Sequence, residues 1–492
     1  MAAATRLLPA PALGGGWRGG TFAGVVVSGA EWQWLRGAIG GEVVAEPGPA
    51  TFNSRFHGKR ARAVVRCRTP EDVAVVLSFV GRHDLPFVVR SGGHCFAGHS
   101  TTGGVVLDVG AMDRIRVDDG LATVGAGARL GAVYDRLQQD GLAIPAGTCP
   151  TVGIAGLALG GGLGVLGRRY GLTADRMVSA QVVLADGRVV VCNDDDEPDL
   201  FWALRGAGAG NFGVVTSFEL RTVPAPRVVN FHLAWGFDAA AGAIDAWQGW
   251  APTAPDELAA SLKLLAPGDP SDPPTVHVYG ALQVDGADRS YLIDELVDRI
   301  GVGPVWRWVE ELDFAATRHL WAQLPPAGTT FRDIGPPADE MAHPWFVARS
   351  EFFPRPLPSR AVAGLLETFT DGRLAGEERE LDFMPWGGAY NRVAADATAF
   401  AHRSELFQLK HSATAAPGAL RARDSALAFV RRSWATVHRW GSGGVFPAFP
   451  DPELADAAQA YYGTNLPRLR RIKARYDPTG RFRLPEGQGI TP

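Results

Sequence analysis

Gly147-Thr148-Cys149-Pro150-Thr151-Val152-Gly153-Ile154-Ala155-Gly156-Leu157-Ala158-Leu159-Gly160-Gly161-Gly162-Leu163-Gly164 is too dense in glycine for an ordinary helix or strand. A backbone without Cβ atoms can come close to a ligand, and exposed amides in successive turns form concavities that bind anions. The stretch reads as a cradle for a pyrophosphate that needs no P-loop lysine, with a flexible surface loop as the plain alternative.

Upstream, Val64-Val65-Arg66-Cys67 reads as a strand, and Thr69-Pro70-Glu71-Asp72 as the cap of a helix running to Val80. Short β-branched runs follow at 86–90, 104–108 and 122–125, then a helical pattern at 130–139. The first of these runs ends in Arg90-Ser91-Gly92-Gly93-His94, a histidine directly after two glycines. Downstream, 178–184 and 188–191 flank Ala185-Asp186-Gly187 as a hairpin. Gly208-Ala209-Gly210-Asn211-Phe212-Gly213 satisfies G-x-G-x-x-G, but a helical 199–204 precedes it and a strand-like 214–220 follows. A dinucleotide fingerprint needs the reverse order, so a Rossmann site is excluded there.

Past Pro224-Ala225-Pro226 the glycine motifs stop, and apolar strands alternate with helical patterns such as 290–300. From Phe446 the character changes again: a helical 454–460, then Tyr461-Tyr462-Gly463, then a basic amphipathic helix over 466–476 stopped by Asp477-Pro478. The expected organisation is an N-terminal tail over 1–30, a first domain over 31–225, a second over 226–445, and a C-terminal segment over 446–492 that returns to the first.

The 492 residues, 46% hydrophobic and 20% charged, have globular composition. With 48 lysines and arginines against 52 acids there is no basic field for a nucleic-acid backbone. No apolar run approaches the roughly 18 residues of a membrane span. Four cysteines without CxxC spacing, Cys67, Cys95, Cys149 and Cys192, point to a reducing compartment and a cytoplasmic location, with secretion left open. No metal site is expected.

Taken together, RSGGH at 90–94, the 147–164 stretch, GNFGVV at 210–215, Tyr461-Tyr462-Gly463-x-Asn465-x-x-Arg468-Leu469 and Tyr476-Asp477-Pro478 resemble the berberine bridge enzyme-like branch of the vanillyl-alcohol oxidase and p-cresol methylhydroxylase flavoproteins. The resemblance runs from Val64 to Arg483. It implies an α+β fold: a two-part FAD-binding domain of the p-cresol methylhydroxylase type, plus an α+β substrate domain whose antiparallel sheet is covered by helices. It implies FAD bonded through its 8α carbon to His94 and through C6 to Cys149. Both residue types suit that chemistry, since a neutral imidazole or a thiolate can attack an electron-poor ring. Further grips on the cofactor are expected from Arg90, Ser91, Gly92 and Gly93, from Gly98, His99 and Ser100, and from Gly147, Thr148, Val152, Gly153, Gly156, Gly161, Gly162 and Gly164. Gly213, Val214, Val215 and Asn465 complete that set. His99 reads equally as a residue of a loop turn.

The resemblance also implies that Trp386-Gly387-Gly388-Ala389-Tyr390-Asn391-Arg392 is a strand facing the flavin. Alternation along it would put Tyr390 and Arg392 on one face. Alkaloid-cyclising members carry a glutamate base where this chain has Arg392, which argues against that ring closure. Tyr390 and Tyr462, with Tyr461 as the other member of its pair, are the candidates for the proton acceptor. Val152, three residues after the cysteine, goes with oxidase behaviour in such proteins. The expected activity is oxidation of an alcohol or sugar hydroxyl of a small molecule, an oligosaccharide or a glycosylated metabolite, with O2 as acceptor and H2O2 as product. A dehydrogenase or oxidative cyclase, or a non-catalytic flavin-binding protein, are the alternatives. The alanine, arginine and glycine usage points to a GC-rich bacterial source.

Overall fold

Thr69 accepts a hydrogen bond from the Asp72 amide, Pro70 opens the first turn, and Glu71 and Asp72 sit at its positive end, so the helix Pro70–Arg82 starts where the sequence places it. Its apolar stripe, Val73, Val76, Leu77 and Val80, is buried. That stripe joins the core of a four-stranded sheet in the order Glu42–Ala45, Ala63–Arg66, Val105–Asp108, Phe87–Arg90. The last three strands are parallel. The computed structural model describes residues 27–45, 51–208, 210–284, 286, 289–324, 326–328, 333, 342–484 and 488–492. The tail expected over 1–30 lies outside the described residues as far as 26. By Gly29 the chain is already in a helix, Gly29–Ala38, closed by a Ser28–Glu31 capping box.

A second, antiparallel sheet of five strands follows in the order Ile115–Asp118, Leu121–Gly125, Val214–Arg221, Met177–Val183, Val189–Cys192. Its last two strands are the hairpin read from Ala185-Asp186-Gly187, with Gly187 at φ +87°. Both sheets and the C-terminal helix Leu466–Tyr476 share one core, to which Leu466, Leu469, Ile472 and Tyr476 contribute. Lys473 pins that helix by donating to Asp477 at 2.7 Å and to the Phe482 carbonyl at 2.6 Å. The short helix before it spans Ala457–Tyr462, three residues later than the pattern at 454–460 suggests.

The second domain is one seven-stranded antiparallel sheet in the order Trp306–Leu312, Val228–Gly236, Thr275–Gln283, Leu258–Ala266, Glu377–Pro385, Phe407–Ala415, Trp345–Phe353. The fold is therefore α+β, as expected. Alternation along the strands divides the sheet. Leu258, Ala260, Leu262 and Leu264 pack toward the helices Ala240–Trp250, Tyr291–Ile300, Ser359–Thr370 and Leu420–Val437. The opposite face turns toward the first domain. Phe346 meets Phe52 there, and Phe352 shares a small core with Leu172.

One expectation fails. The strand ends at Pro385; Gly387 and Gly388 take φ values of +85° and +57°, and residues Ala389–Arg392 form a helical turn. Left-handed backbone at two successive positions cannot continue a strand, so the alternation argument for Tyr390 and Arg392 does not apply. Arg392 instead pairs with Asp256 at 2.5 Å.

The two domains are locked beside this turn. Arg403 donates to both carboxylate oxygens of Asp175 at 2.9 and 2.6 Å, with side-chain exposures of only 2% and 9%. Removing one partner strands a buried charge. Arg403→Ala should therefore lower the unfolding free energy by about 3–5 kcal/mol in a urea titration; a loss below about 1 kcal/mol would mean that the pair is not what locks the seam.

Candidate active site

His94 and Cys149 are separated by 54 intervening residues yet converge on one hydroxyl. Thr151 Oγ1 lies 2.9 Å from His94 Nε2 and 3.5 Å from Cys149 Sγ, and Thr151 is 5% exposed. The contact behind this convergence is backbone to backbone. A Cβ added to Gly92 would sit 2.1 Å from the Gly153 nitrogen, and one on Gly153 would sit 2.2 Å from the Gly92 nitrogen. Leu130 and Ile154 amides, donating at 2.9 Å to the Val152 and Ala128 carbonyls, hold the cysteine loop in place from the other side. Ser91 donates to the Ala126 carbonyl at 2.7 Å.

Burial drives His94 down to about 4, helped by Arg129 and His343, so its imidazole is neutral at pH 7. Phe52 stacks on the ring at 5.1 Å. Cys149 is a free thiol, half buried. His99 is also driven down to about 4 by burial, and its backbone amide donates to Cys95 Sγ at 3.4 Å. Ser100 beside it is half buried.

Among the described residues, no protein acceptor takes the backbone N–H of Gly92, Gly93, His94 or Gly153. Three of these amides follow the strand Phe87–Arg90 and the fourth lies in the cysteine loop, and an acceptor-rich anion would satisfy them. Gly156 is exposed, with open space where a side chain would go. The other glycines of the run meet protein. Gly161 faces Phe400, Gly162 faces Thr173 and Leu157, Gly164 faces the Ala146 carbonyl, and Gly147 faces Leu157. Gly98 is closed by the Phe56 ring. Arg90 is paired with Asp108 at 2.8 Å. Gly213 packs on Val182, and Val214 and Val215 are buried in the five-stranded sheet. Val152 is half buried against the first core, and Thr148 donates to the Trp321 carbonyl at 3.3 Å. Asn465 gives its amide to the carbonyls of Ala395, Thr398 and Ala399, which fixes a loop of the second domain.

The three tyrosines lie at seams. Tyr390 donates to the Gly164 carbonyl at 3.3 Å and stacks on Trp386 at 4.4 Å. Tyr461 donates to Gln488 at 3.1 Å, and Tyr462 to the Ala207 carbonyl at 2.7 Å. Burial raises all three phenols above their ordinary value. None is arranged as a free proton acceptor.

Sequence reading missed Thr151 and the polar face of the large sheet. On that face Lys263 bridges Glu380 and Asp382 at 3.0 Å each, and Lys410 bridges the same pair at 3.1 and 3.2 Å. The lysines hold Glu380 well below the usual carboxylate range, and the two acids push Lys263 up against burial. Beside them His232 Nε2 and His277 Nδ1 are 2.9 Å apart, and Tyr279 stacks on His232 at 4.2 Å. Several buried polar atoms of this face have no partner in the structure: His232 Nδ1, Asp382 Oδ1, Gln408 Oε1 and both amide atoms of Gln283. Polar residues at every second position, Lys263 in one strand and Glu380 and Asp382 in another, were the available signal.

Amides without a protein acceptor in the first domain, and unpartnered polar atoms on the large sheet, suit a flavin nucleotide and a polar small molecule. A model of the FAD binding domain matches residues 61–193, and one described as berberine and berberine like matches 445–488. An FAD-linked oxidoreductase of Bacillus subtilis, YgaK, whose own activity is uncharacterised, is 32% identical over 86% of this chain and 89% of its own length. A chitooligosaccharide oxidase of Gibberella zeae is 29% identical over 91% of each chain. Among solved structures, Physcomitrella patens BBE-like 1 superposes with a TM-score of 0.82 at 26% identity. A xylooligosaccharide oxidase from Myceliophthora thermophila C1, in complex with xylobiose, gives 0.80 at 27%. A glucooligosaccharide oxidase from Acremonium strictum, described with 6-S-cysteinyl, 8α-N1-histidyl FAD, gives 0.80 at 25%. Each of the three covers 94% of this chain, which in turn covers 99% of each.

Two outcomes follow from the geometry. Gly92→Ala or Gly153→Ala should yield folded protein that purifies without its yellow colour, because the two loops can no longer close; full flavin absorbance in either variant would contradict the contact. Burial also holds His232 and His411 near about 3, and His277 and His402 near about 4. Below about pH 6.5 the unfolded imidazoles bind protons that the folded ones refuse, so the unfolded state gains and stability falls as pH falls. The melting temperature should decline steadily from about pH 7 to about pH 5; a flat profile would contradict this.

Proposed function

Because the chain belongs to the berberine bridge enzyme-like FAD-linked oxidoreductases, we propose that it is an oxidase of a hydroxyl group on an oligosaccharide or glycosylated small molecule, carrying FAD tethered to both His94 and Cys149. The observation that carries the tethering is the convergence of these two side chains on Thr151 Oγ1. The substrate class is supported by the likeness to chitooligosaccharide and xylooligosaccharide oxidases, and by the polar face of the large sheet, whose buried unpartnered atoms a ligand rich in donors and acceptors would satisfy.

Bound FAD supplies a two-electron acceptor for a substrate C–H bond and passes the electrons to O2, giving H2O2. The protein's part is to hold and orient. His94, kept neutral by burial, offers a lone pair for bond formation without first losing a proton. Thr151 fixes its direction and that of the thiol. Both amide atoms of Gln283, with Asp382 Oδ1 and Gln408 Oε1, would receive the hydroxyls of the substrate. A substrate lacking those hydroxyls would leave buried polar groups unmet, a penalty of about 1–3 kcal/mol for each. The charged quartet around Lys263 is neutral in sum and keeps this wall rigid. Val152, beside the cysteine loop, supports the choice of O2 as acceptor, by the resemblance alone.

Acid-denatured wild type, His94→Ala and Cys149→Ala should each keep flavin mass on the chain, and the double variant should release it. Loss of all flavin from the wild type on acid treatment would overturn the two tethers. Peroxide should form with members of a panel of cellobiose, xylobiose and chitooligosaccharides; a flavin that none of them bleaches without oxygen would overturn the substrate class. Tyr462→Phe should lose about 1 kcal/mol of stability while its kcat stays within about threefold of wild type. A kcat collapse at unchanged stability would return Tyr462 to the role of proton acceptor.

A further inference from the structure

The large sheet has two outer strands, and the first domain covers one of them. At Trp345–Phe353, Ser54 donates its backbone N–H to the Pro344 carbonyl at 2.9 Å. Asn53 accepts from the Phe346 N–H at 3.2 Å and donates to the Phe346 carbonyl at 2.8 Å. At the other end, Trp306–Leu312 pairs with Val228–Gly236, and among the described residues no further strand pairs with its outer edge. Val302, Val305 and Val309 are exposed along this edge, Val305 by 80%. An open edge with apolar side chains is a template for another chain unless its charges repel every register.

Here the charges favour one register. The strand reads Trp306-Arg307-Trp308-Val309-Glu310-Glu311-Leu312. Arg307, Val309 and Glu311 are exposed on the face that carries the helices, since Leu233, Phe231 and Val229 beside them belong to that core. Laid antiparallel on a second copy with all seven residues paired, the strand turns about Val309. A two-fold axis normal to the sheet keeps each face with its like. Arg307 then stands directly across from Glu311 of the second copy, and Glu311 across from its Arg307. Trp308 stands across from Glu310, and Trp306 across from Leu312. A slip of two residues in either direction loses both Arg–Glu pairs, and in one direction it sets Glu310 against Glu310. A slip of four sets Arg307 against Arg307 or Glu311 against Glu311. Like charges directly opposite one another are destabilising, so the register with the most backbone pairing is also the one the charges permit.

We propose that two copies of this chain associate through the strand Trp306–Leu312, antiparallel and centred on Val309, so that their large sheets become one. The inference is independent of the reaction the protein catalyses. Arg307 already pairs with Asp294 at 2.7 Å, and Glu311 with Arg227. Association joins these pairs into an alternating row at each end of the interface: Asp294 and Arg307 of one copy, then Glu311 and Arg227 of the other. Exposed ion pairs add little affinity, so their contribution is to choose the register. The attraction comes from the backbone ladder and from covering Val309 and its exposed neighbours. The contact is isologous, and the far edge of each sheet is occupied by Asn53 and Ser54, so growth along this sheet stops at two copies. A seven-residue ladder is small beside a standard interface of about 1,600 Å², which makes the dimer a reversible one.

Sedimentation velocity of the full-length protein as purified, from about 1 to about 100 µM, is the first measurement. Wild type should pass from monomer to dimer across that range and go no further; a monomer throughout, or growth beyond two copies, overturns the proposal. Arg307→Glu and Glu311→Arg should each raise the dissociation constant about tenfold or more, and the two changes together in one chain should return it to within about threefold of wild type. Dimerisation unchanged by the single reversals, or not restored by the double one, overturns the register. Cross-linking decides the same point without relying on charge. Position 309 meets its own copy with Cβ atoms about 5 Å apart, whereas position 307 stands four residues, about 13 Å, from its copy. A short bifunctional maleimide should therefore join Val309→Cys chains and leave Arg307→Cys chains single; joining at 307 in place of 309, or at neither, overturns the proposal.

Discussion

The approach of Gly92 to Gly153 is the constraint on which the site depends. Neither position can carry a side chain, because a Cβ on either would lie within 2.2 Å of the other's backbone nitrogen. That approach brings the end of a parallel strand in one sheet against a loop anchored on the other. It sets His94 and Cys149 at the same hydroxyl and, among the described residues, leaves the amides of Gly92, Gly93, His94 and Gly153 without a protein acceptor. The glycine run after Cys149 thus has two functions. Gly156 keeps backbone open, whereas Gly153 lets the chain close on Gly92, and Gly161, Gly162 and Gly164 let it fold tightly against Phe400, Thr173 and Ala146.

The second domain supplies the facing wall by a simple division of labour. Strand alternation sends aliphatic residues to the helices and charged or amide residues to the face turned toward the first domain, so the same sheet makes a core and a polar surface. Polar groups buried on that surface are expensive unless met, and a site built from them favours ligands that meet them. The C-terminal segment then ties the assembly together. Tyr461 and Tyr462 close the seam near Gln488 and Ala207, and Asn465 grips the loop over 395–399.

Much of this could be read from the sequence. Local signals were strong where one residue type has one physical use: Thr69-Pro70 for a helix start, Ala185-Asp186-Gly187 for a hairpin, and helix before glycines before strand at 199–220 to exclude a Rossmann site. His94 and Cys149 were legible because their motifs are specific. The tyrosines are not assignable from sequence, because a phenol is equally suited to closing a seam and to taking a proton, and only tertiary contacts distinguish the two. Tyr390 was placed on a strand that Gly387 and Gly388 in fact end. Thr151 and the pair His232–His277 escaped notice since their partners come from distant segments. Their meeting depends on sheet register, which the sequence does not spell out.

A crystal structure of the protein with its flavin tests the central claim most directly. The account predicts continuous electron density from His94 to the flavin 8α carbon and from Cys149 to C6, with Thr151 between the two attachment residues and the amides of Gly92 to His94 turned toward the cofactor. Flavin bound elsewhere, for example along the glycine run at 208–213, or lying in the cavity with no density to either side chain, would contradict it.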